Sequence, residues 1–158
     1  MKIQIGDVAS DFTTTATSGP GNYRPFKLSE ELKKKPALLV FYPGDFTAVC
    51  TKQLCDYRDN WERLKGFDVQ IVGVSTNDKA SHDKFISTYK LPFELLDDSE
   101  KKICASLDMI MIGGMAKRGF ILIDKDMKIK YIYTEFLPFF KRSAEEVADI
   151  LRKYLPKK

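Results

Sequence analysis

Two of the three cysteines in this chain of 158 residues lie five positions apart, in the segment FYPGDFTAVCTKQLC at residues 41–55. A cysteine thiolate is a nucleophile that can be oxidised reversibly to a sulfenic acid or a disulfide. The segment follows an apolar run and a Pro-Gly turn, and Thr47 can cap a helix that begins just before Cys50. Free backbone N–H groups and the helix dipole favour an anion there, so the pattern predicts a reactive thiol at Cys50.

A helix start alone provides a limited gain in reactivity. A thiol with the ordinary pKa of about 8.5 is roughly 3% thiolate at pH 7, so full ionisation raises the nucleophile concentration by only about thirtyfold. Lowering the pKa of a thiol also lowers the intrinsic nucleophilicity of its thiolate. We therefore expect a second group near Cys50 that is cationic or donates hydrogen bonds.

The elements that position this segment follow from the hydrophobic pattern. Apolar runs at residues 38–42 and 69–74 have the length of strands buried on both faces, and helical spacing between them predicts a helix over residues 50–65. The other expected elements are helices at 78–89, 99–107 and 143–155, a loop at 18–25, and a hairpin formed by 118–124 and 128–134. This order predicts an α/β fold, a mixed β-sheet flanked by helices in a thioredoxin-like arrangement.

Composition limits the class of protein. A chain of 158 residues with 44% hydrophobic content has room for one well-packed core, so we expect a single domain over residues 1–158. The excess of 26 Lys and Arg over 22 Asp and Glu is small and spread out, which does not favour a nucleic-acid partner. The sequence lacks a signal-peptide pattern and an apolar run of about 18 residues, so we expect a cytoplasmic protein with no membrane segment.

Several segments together resemble one protein family. The pattern Pro43-x-x-x-Thr47-x-x-Cys50 is similar to the active-site motif of the peroxiredoxins, and residues 41–55 resemble their Q-type, bacterioferritin-comigratory-protein-like branch. The likeness extends to IGDVASDF, to VSTNDKASHDKF with LPFELLDD, and to Arg118 followed by an apolar strand that ends in Asp124. It covers most of the chain and implies a thioredoxin-like fold of the peroxiredoxin type.

The resemblance also implies roles for individual residues. Cys50 would be the peroxidatic nucleophile, which attacks a hydroperoxide and becomes a sulfenic acid. Thr47 would hydrogen-bond the peroxide and the thiolate, and Pro43 would shield the sulfur from water. Arg118 would hold both the thiolate and the peroxide, a task that suits arginine because it stays charged and offers several donors in a fixed fork.

The resemblance implies that Cys55 is the resolving thiol, because Q-type relatives commonly use a second cysteine at this spacing. Residues five apart in an intact helix have Cα atoms roughly 8 to 9 Å apart, and a disulfide tolerates about 7 Å at most. The helix must therefore unwind before Cys50 and Cys55 can bond. The hypothesis is a peroxidase for hydrogen peroxide and organic hydroperoxides, recycled by thioredoxin or a similar dithiol, without metal or organic cofactor, acting as a monomer or weak homodimer.

Two residues depart from the family pattern. Ala48 stands where many relatives have Pro, which should loosen the loop slightly. Gln53 stands where many have Glu, which removes a possible ionic partner for Arg118 and leaves the positioning of that arginine open.

Other interpretations stand beside these. Cys104 is more often a core residue than a substitute resolving thiol, and Cys55 could be idle in a one-cysteine peroxidase. His82, the only histidine, is expected to be non-catalytic, and too few further ligands exist for a zinc site. The aromatic cluster at residues 136–140 is either packing or an apolar rim that favours organic hydroperoxides. The alternative function is a peroxide sensor that passes oxidation of Cys50 to a partner.

Overall fold

The computed structural model describes residues 2–135 and 142–155 of the chain. Within them the strands are β1 (Thr13–Thr17), β2 (Tyr23–Lys27), β3 (Ala37–Phe41), β4 (Gln70–Ser75), β5 (Leu95–Asp97), β6 (Arg118–Ile123) and β7 (Ile129–Glu135). The helices are α1 (Leu28–Leu32), α2 (Ala48–Asp59), α3 (Trp61–Leu64), α4 (Lys79–Tyr89), α5 (Lys102–Ser106) and α6 (Ala144–Tyr154).

One mixed sheet joins all seven of these strands in the order β2-β1-β5-β4-β3-β6-β7. The three central strands β3, β4 and β5 run parallel, and the remaining pairings are antiparallel. The parallel pair β3 and β4 is connected through α2 and α3, which is the β-α-β unit that the apolar runs predicted. The predicted mixed sheet flanked by helices is confirmed.

The sheet separates two hydrophobic cores because successive side chains of a strand point to opposite faces. On β3, Leu38 and Val40 face the first core, and Leu39 and Phe41 face the second. Apolar side chains of α2, α4 and α6 complete the first core, and those of α1 and α5 complete the second. All five residues of β3 are buried, as its continuous apolar sequence indicated.

Two predicted helices differ from the observed ones. The helix expected over residues 50–65 is interrupted at Asn60, whose backbone leaves the helical region (φ −112°, ψ 19°) and whose side-chain amide donates to the carbonyl of Asp56 over 2.8 Å. The helix expected over residues 99–107 begins only at Lys102, because Lys101 adopts a left-handed conformation with φ 65°. The hydrophobic periodicity predicted the apolar faces of these helices correctly. It did not predict where the helices are interrupted.

Most of the elements that the sequence did not predict lie in the N-terminal part of the chain. The expected loop over residues 18–25 is wrong in its second half, since Tyr23 to Pro25 belong to β2 and pair with β1. Strands β1 and β5 and helix α1 were also missed, and β5 has only three residues. The aromatic cluster at residues 136–140 lies outside the described residues. None of the helices described here is long and apolar enough to cross a membrane.

Candidate active site

Cys50 is the third residue of α2, which starts soon after β3 delivers the chain to the end of the sheet. Its side chain is fully buried, and its thiol is free. The helix has no acidic residue in its first turn. Cys50 therefore occupies the first turn of a helix, as the sequence predicted, and that turn contains no acidic residue.

Thr47 occupies the N-cap position of α2 but does not cap it with its side chain. Its hydroxyl instead donates to the carbonyl of Gly44 over 3.1 Å. The predicted side-chain cap is thus wrong, because the preceding turn offers an acceptor within reach. Thr47 is an exposed residue whose hydroxyl oxygen can still accept a hydrogen bond, and Pro43 lies half-buried in the same turn.

Arg118 is brought to Cys50 by the register of the sheet. It opens β6, which pairs with β3 so that Gly119 lies opposite Phe41, at the end of β3 that leads toward α2. Its Nη2 donates to the Sγ of Cys50 over 3.1 Å, a contact between residues 68 positions apart. Arg118 is itself buried. The structure therefore supplies the second, cationic group that the thiol chemistry requires.

Gly119 allows β6 to take this place in the sheet. A Cβ atom added there would collide with the backbone carbonyl of Tyr133 on β7. Only glycine permits the two strands to approach so closely beside Arg118.

Gln53 provides the partner that positions Arg118. The Nη1 of Arg118 donates to the Oε1 of Gln53, which is buried on α2. The sequence left open how Arg118 is positioned without an ionic partner at residue 53, and in the structure a neutral hydrogen bond takes that place. Among the described residues, the buried Nε–H of Arg118 has no hydrogen-bond partner, so one donor remains for a further oxygen atom.

A buried polar cluster anchors the turn between β3 and α2. The carboxylate of Asp45 accepts hydrogen bonds from Tyr42 and Ser81, each 2.7 Å long, and lies 2.7 Å from the Nδ1 of His82. The other ring nitrogen of His82 lies 2.9 Å from the carbonyl oxygen of Leu96. Both nitrogens of this fully buried ring face oxygen atoms, so His82 fixes the turn and is not exposed for catalysis.

Phe46 stores strain in the same turn. It has φ 65°, a left-handed conformation that costs a residue with a Cβ roughly 1–2 kcal/mol. Its ring packs against Phe85 at 5.0 Å and Tyr89 at 6.1 Å between centroids, and these contacts offset the cost. The residue next to the anchored Asp45 is thus held in the left-handed conformation by its ring contacts.

Cys55 lies on the same unbroken helix as Cys50, and both thiols are free. Partial burial raises the pKa of Cys55, while the charge of Arg58 opposes that shift. Both helix geometry and protonation therefore disfavour a Cys50 to Cys55 bond while α2 stays folded.

Cys104 is fully buried in the second core, on α5. Burial raises the pKa of its thiol well above the usual range, and the carboxylate of Asp98 beside it adds to the shift. This is the environment of an inert core thiol, which favours the structural interpretation of Cys104.

Tyr57 and Asp45 are the residues of this region that the sequence did not reveal. Tyr57 lies four positions after Gln53, on the same face of α2, and its hydroxyl accepts from the Gln53 Nε2 over 2.9 Å. The spacing of four residues was the feature of the sequence that could have predicted this contact. Asp45 carried no such feature, because two of its three side-chain partners, Ser81 and His82, come from α4. Within the two described ranges, no group of three or more potential ligands is placed to hold a metal ion.

Comparisons with known proteins show what this chain is similar to. Residues 5–132 match the AhpC/TSA family. Peroxiredoxin Q, chloroplastic, of Oryza sativa subsp. japonica is 36% identical over 140 residues, which are 87% of this chain and 62% of the relative. The chain thus spans 62% of the length of that relative. Peroxiredoxin Q, chloroplastic, of Sedum lineare is 34% identical over 96% of this chain and 79% of its own.

The fold has solved counterparts. The reduced 2-Cys peroxiredoxin of Plasmodium vivax superposes with a TM-score of 0.85 at 24% identity, covering 96% of both chains. This likeness confirms the predicted thioredoxin-like fold of the peroxiredoxin type.

Proposed function

Because this chain belongs to the AhpC/TSA family, we propose that it is a thiol peroxidase that reduces hydrogen peroxide and organic hydroperoxides through Cys50 and Cys55. The observation that carries the proposal is the hydrogen bond from Arg118 Nη2 to Cys50 Sγ. It places a cation beside a thiol at a helix start, which is the environment in which reactive cysteines are found. The relatives named peroxiredoxin Q support the same activity.

In the first step the Cys50 thiolate attacks the hydroxyl oxygen of a hydroperoxide, ROOH. A bond forms between sulfur and oxygen as the O–O bond breaks, which yields the sulfenic acid of Cys50 and an alkoxide RO⁻ that takes up a proton. Arg118 can stabilise this charge because its Nε–H and one Nη2–H point along the same edge of the guanidinium. This Nε–H of Arg118 has no hydrogen-bond partner among the described residues.

Thr47 and Pro43 complete the proposed site. Because the Thr47 hydroxyl donates its hydrogen to Gly44, its oxygen can accept the O–H of the peroxide and orient it. Pro43 has no backbone N–H and covers the region with an apolar ring, which limits the access of water. Cys50 is buried and residues 46–48 are exposed, so we expect the peroxide to enter past these three residues.

In the second step the Cys55 thiolate attacks the sulfenic sulfur of Cys50. An S–S bond forms and hydroxide leaves, which becomes water on protonation. The first turns of α2 must unwind before this step can occur, because the two thiols lie on one intact helix. A thioredoxin-type dithiol then reduces the disulfide with two electrons and is itself oxidised to a disulfide.

The proposal includes a monomer or weak homodimer in the cytoplasm. Both redox thiols lie on one helix of one chain, so the cycle does not require a residue from a second subunit. A reducing compartment would keep these thiols ready for peroxide. Cell fractionation tests the location, and sedimentation at several protein concentrations tests the oligomeric state.

The experiment that tests the function is mass spectrometry after one equivalent of hydrogen peroxide. We expect a loss of about two mass units, mapped to a bond between Cys50 and Cys55. The Cys55→Ser variant should instead gain about sixteen mass units on Cys50, and the Cys50→Ser variant should remain unmodified. Unmodified Cys50 in the native protein would overturn the proposal.

Steady-state consumption of peroxide with thioredoxin, its reductase and NADPH tests the recycling step. We expect continuous turnover that stops in the Cys55→Ser variant. Fast oxidation of Cys50 followed by negligible turnover would favour the peroxide sensor over the peroxidase.

A further inference from the structure

Behind Arg118 a line of hydrogen bonds runs away from the thiol and ends on the backbone. Arg118 donates to the Oε1 of Gln53, the Nε2 of Gln53 donates to the hydroxyl of Tyr57 over 2.9 Å, and this hydroxyl donates to the carbonyl of Arg142 over 2.8 Å. Gln53 and Tyr57 are both buried. The two links made by Gln53 therefore lie in a region where a lost partner is not replaced by bulk water.

The order of donors and acceptors in this line is fixed by its end. The Arg142 carbonyl can only accept, so the single hydrogen of the Tyr57 hydroxyl points to it. The hydroxyl oxygen is then left to accept, which selects the Nε2 of Gln53 as its partner. The amide must therefore present Oε1 on its other side, where the Arg118 guanidinium can only donate.

We propose that Tyr57 is a positioning residue for Cys50, because its hydroxyl holds the Gln53 amide in the orientation that fixes Arg118 beside the thiol. The inference rests on the proposed function for its consequence in peroxide reduction. Burial raises the pKa of the Tyr57 hydroxyl well above its usual range, so the group stays a neutral donor and acceptor at every physiological pH.

The end of the line is rigid. The backbone N–H of Ala144 donates to the carboxylate of Asp56 on α2 over 2.7 Å, which ties the start of α6 to the helix that carries Gln53 and Tyr57. The Arg142 side chain stacks over Tyr133 with its guanidinium carbon 4.2 Å from the ring centroid and bonds Glu146 over 2.7 Å. The carbonyl that orients Tyr57 is thus held from several sides.

An amide needs this support and a carboxylate does not. The Nε2 group of Gln53 would be a buried donor without its acceptor if Tyr57 lost its hydroxyl, so the amide would gain by turning away from Arg118. A glutamate at position 53 presents acceptors only and would be held by its charge on Arg118. The need for the Tyr57 hydroxyl is therefore specific to glutamine at this position.

The Tyr57→Phe variant tests the proposal through the reactivity of Cys50. Its alkylation by iodoacetamide at one fixed pH, followed by peptide mass spectrometry, should slow by about three- to tenfold, the range expected for loss of one buried hydrogen bond. The rate of Cys50 oxidation by hydrogen peroxide should fall similarly. Tyr154→Phe is the matched control, since Tyr154 lies near Pro36 and Asp124 at the opposite end of the sheet, and its rates should stay unchanged.

The rescue by glutamate separates positioning from a merely structural role. In a Gln53→Glu background, Tyr57→Phe should change the alkylation rate by less than about twofold, and in an Arg118→Met background it should likewise have little effect. The proposal would be overturned if Tyr57→Phe lowered the alkylation rate of Cys50 equally in all three backgrounds, or did not lower it in the native background. Urea unfolding of each variant verifies that it is folded.

The two assays keep this inference apart from the proposed function. If the native protein did not react with peroxide, the peroxidase proposal would fail while the alkylation rates still tested Tyr57. If peroxide reduction were established and alkylation were insensitive to Tyr57→Phe, only the positioning role would fail.

Discussion

Cys50 and Cys104 occupy equivalent positions in two different helices. Each is the third residue of its helix, α2 or α5, and each side chain is fully buried. They lie in the two cores on opposite sides of the sheet. The neighbouring charge differs: Arg118 donates to Cys50, whereas Cys104 lies beside the carboxylate of Asp98.

The first turns of α2 and α5 also differ in whether a side chain accepts hydrogen bonds from their backbone N–H groups. The first N–H groups of α5 are already occupied, because Asp98 accepts from the backbone of Ile103 over 2.9 Å and of Cys104 over 2.8 Å. In α2 the side chain of Thr47 does not cap the helix. A helix start therefore favours a reactive thiol only when no other anion occupies it and a cation is near.

The largest expected effect comes from removing the cation that distinguishes the two thiols. Arg118→Met should lower the rate constant for oxidation of Cys50 by hydrogen peroxide by about 10²- to 10³-fold, because donors aimed at the reacting oxygen are lost. Stopped-flow kinetics measures this rate. Arg118→Lys keeps the positive charge but loses the forked arrangement of donors. Its oxidation rate constant should lie between those of the native protein and Arg118→Met. If the rate constant of Arg118→Met decreased by less than about tenfold, the helix start would account for most of the reactivity of Cys50.

The anion beside Cys104 should matter for stability and not for oxidation of Cys50. Asp98→Ala should lower the free energy of unfolding by about 1–3 kcal/mol, because two buried backbone N–H groups lose their acceptor. Urea unfolding at constant m-value measures the change. Thr47→Ala is the matched comparison at the other helix start and should cost less than about 0.5 kcal/mol, since no capping bond is lost. Equal losses would mean that the two helix starts are not distinct.

Cys55 extends the comparison to a third thiol, whose pKa is raised by partial burial. Below that pKa the thiol keeps its proton, so each pH unit between 6 and 8 should raise the thiolate fraction, and the rate of disulfide formation, by about tenfold. Quenched-flow mass spectrometry can follow conversion of the Cys50 sulfenic acid to the disulfide. A rate independent of pH would indicate that unwinding of α2 limits the step.

The smallest effect is expected at Cys104 itself. Cys104→Ala should change the rate of peroxide reduction by less than about twofold, because the residue lies in the other core and shares no partner with Cys50 in the part of the chain described. Turnover with thioredoxin measures it. A larger loss in a folded variant would revive the interpretation of Cys104 as a substitute resolving thiol.

Local patterns in the sequence were sufficient for much of this fold. The apolar runs predicted β3 and β4, and helical spacing predicted α4 and α6 to within a few residues. Strand β5 was missed because three residues carry too little periodicity, and β2 because the glycines and prolines before Lys27 favoured a loop. Pairing with β1 decides the structure of that segment.

The sequence by itself determined that a thiol would lie at the start of a helix, with a second thiol out of bonding reach on the same helix. Only the tertiary structure decided what surrounds each thiol. The register of β6 against β3 brings Arg118 to Cys50 across 68 positions, and the backbone of Arg142 orients Tyr57 across 85. Periodicity records which face of an element is apolar, whereas these partners come from other elements and are selected only when the sheet and its helices pack.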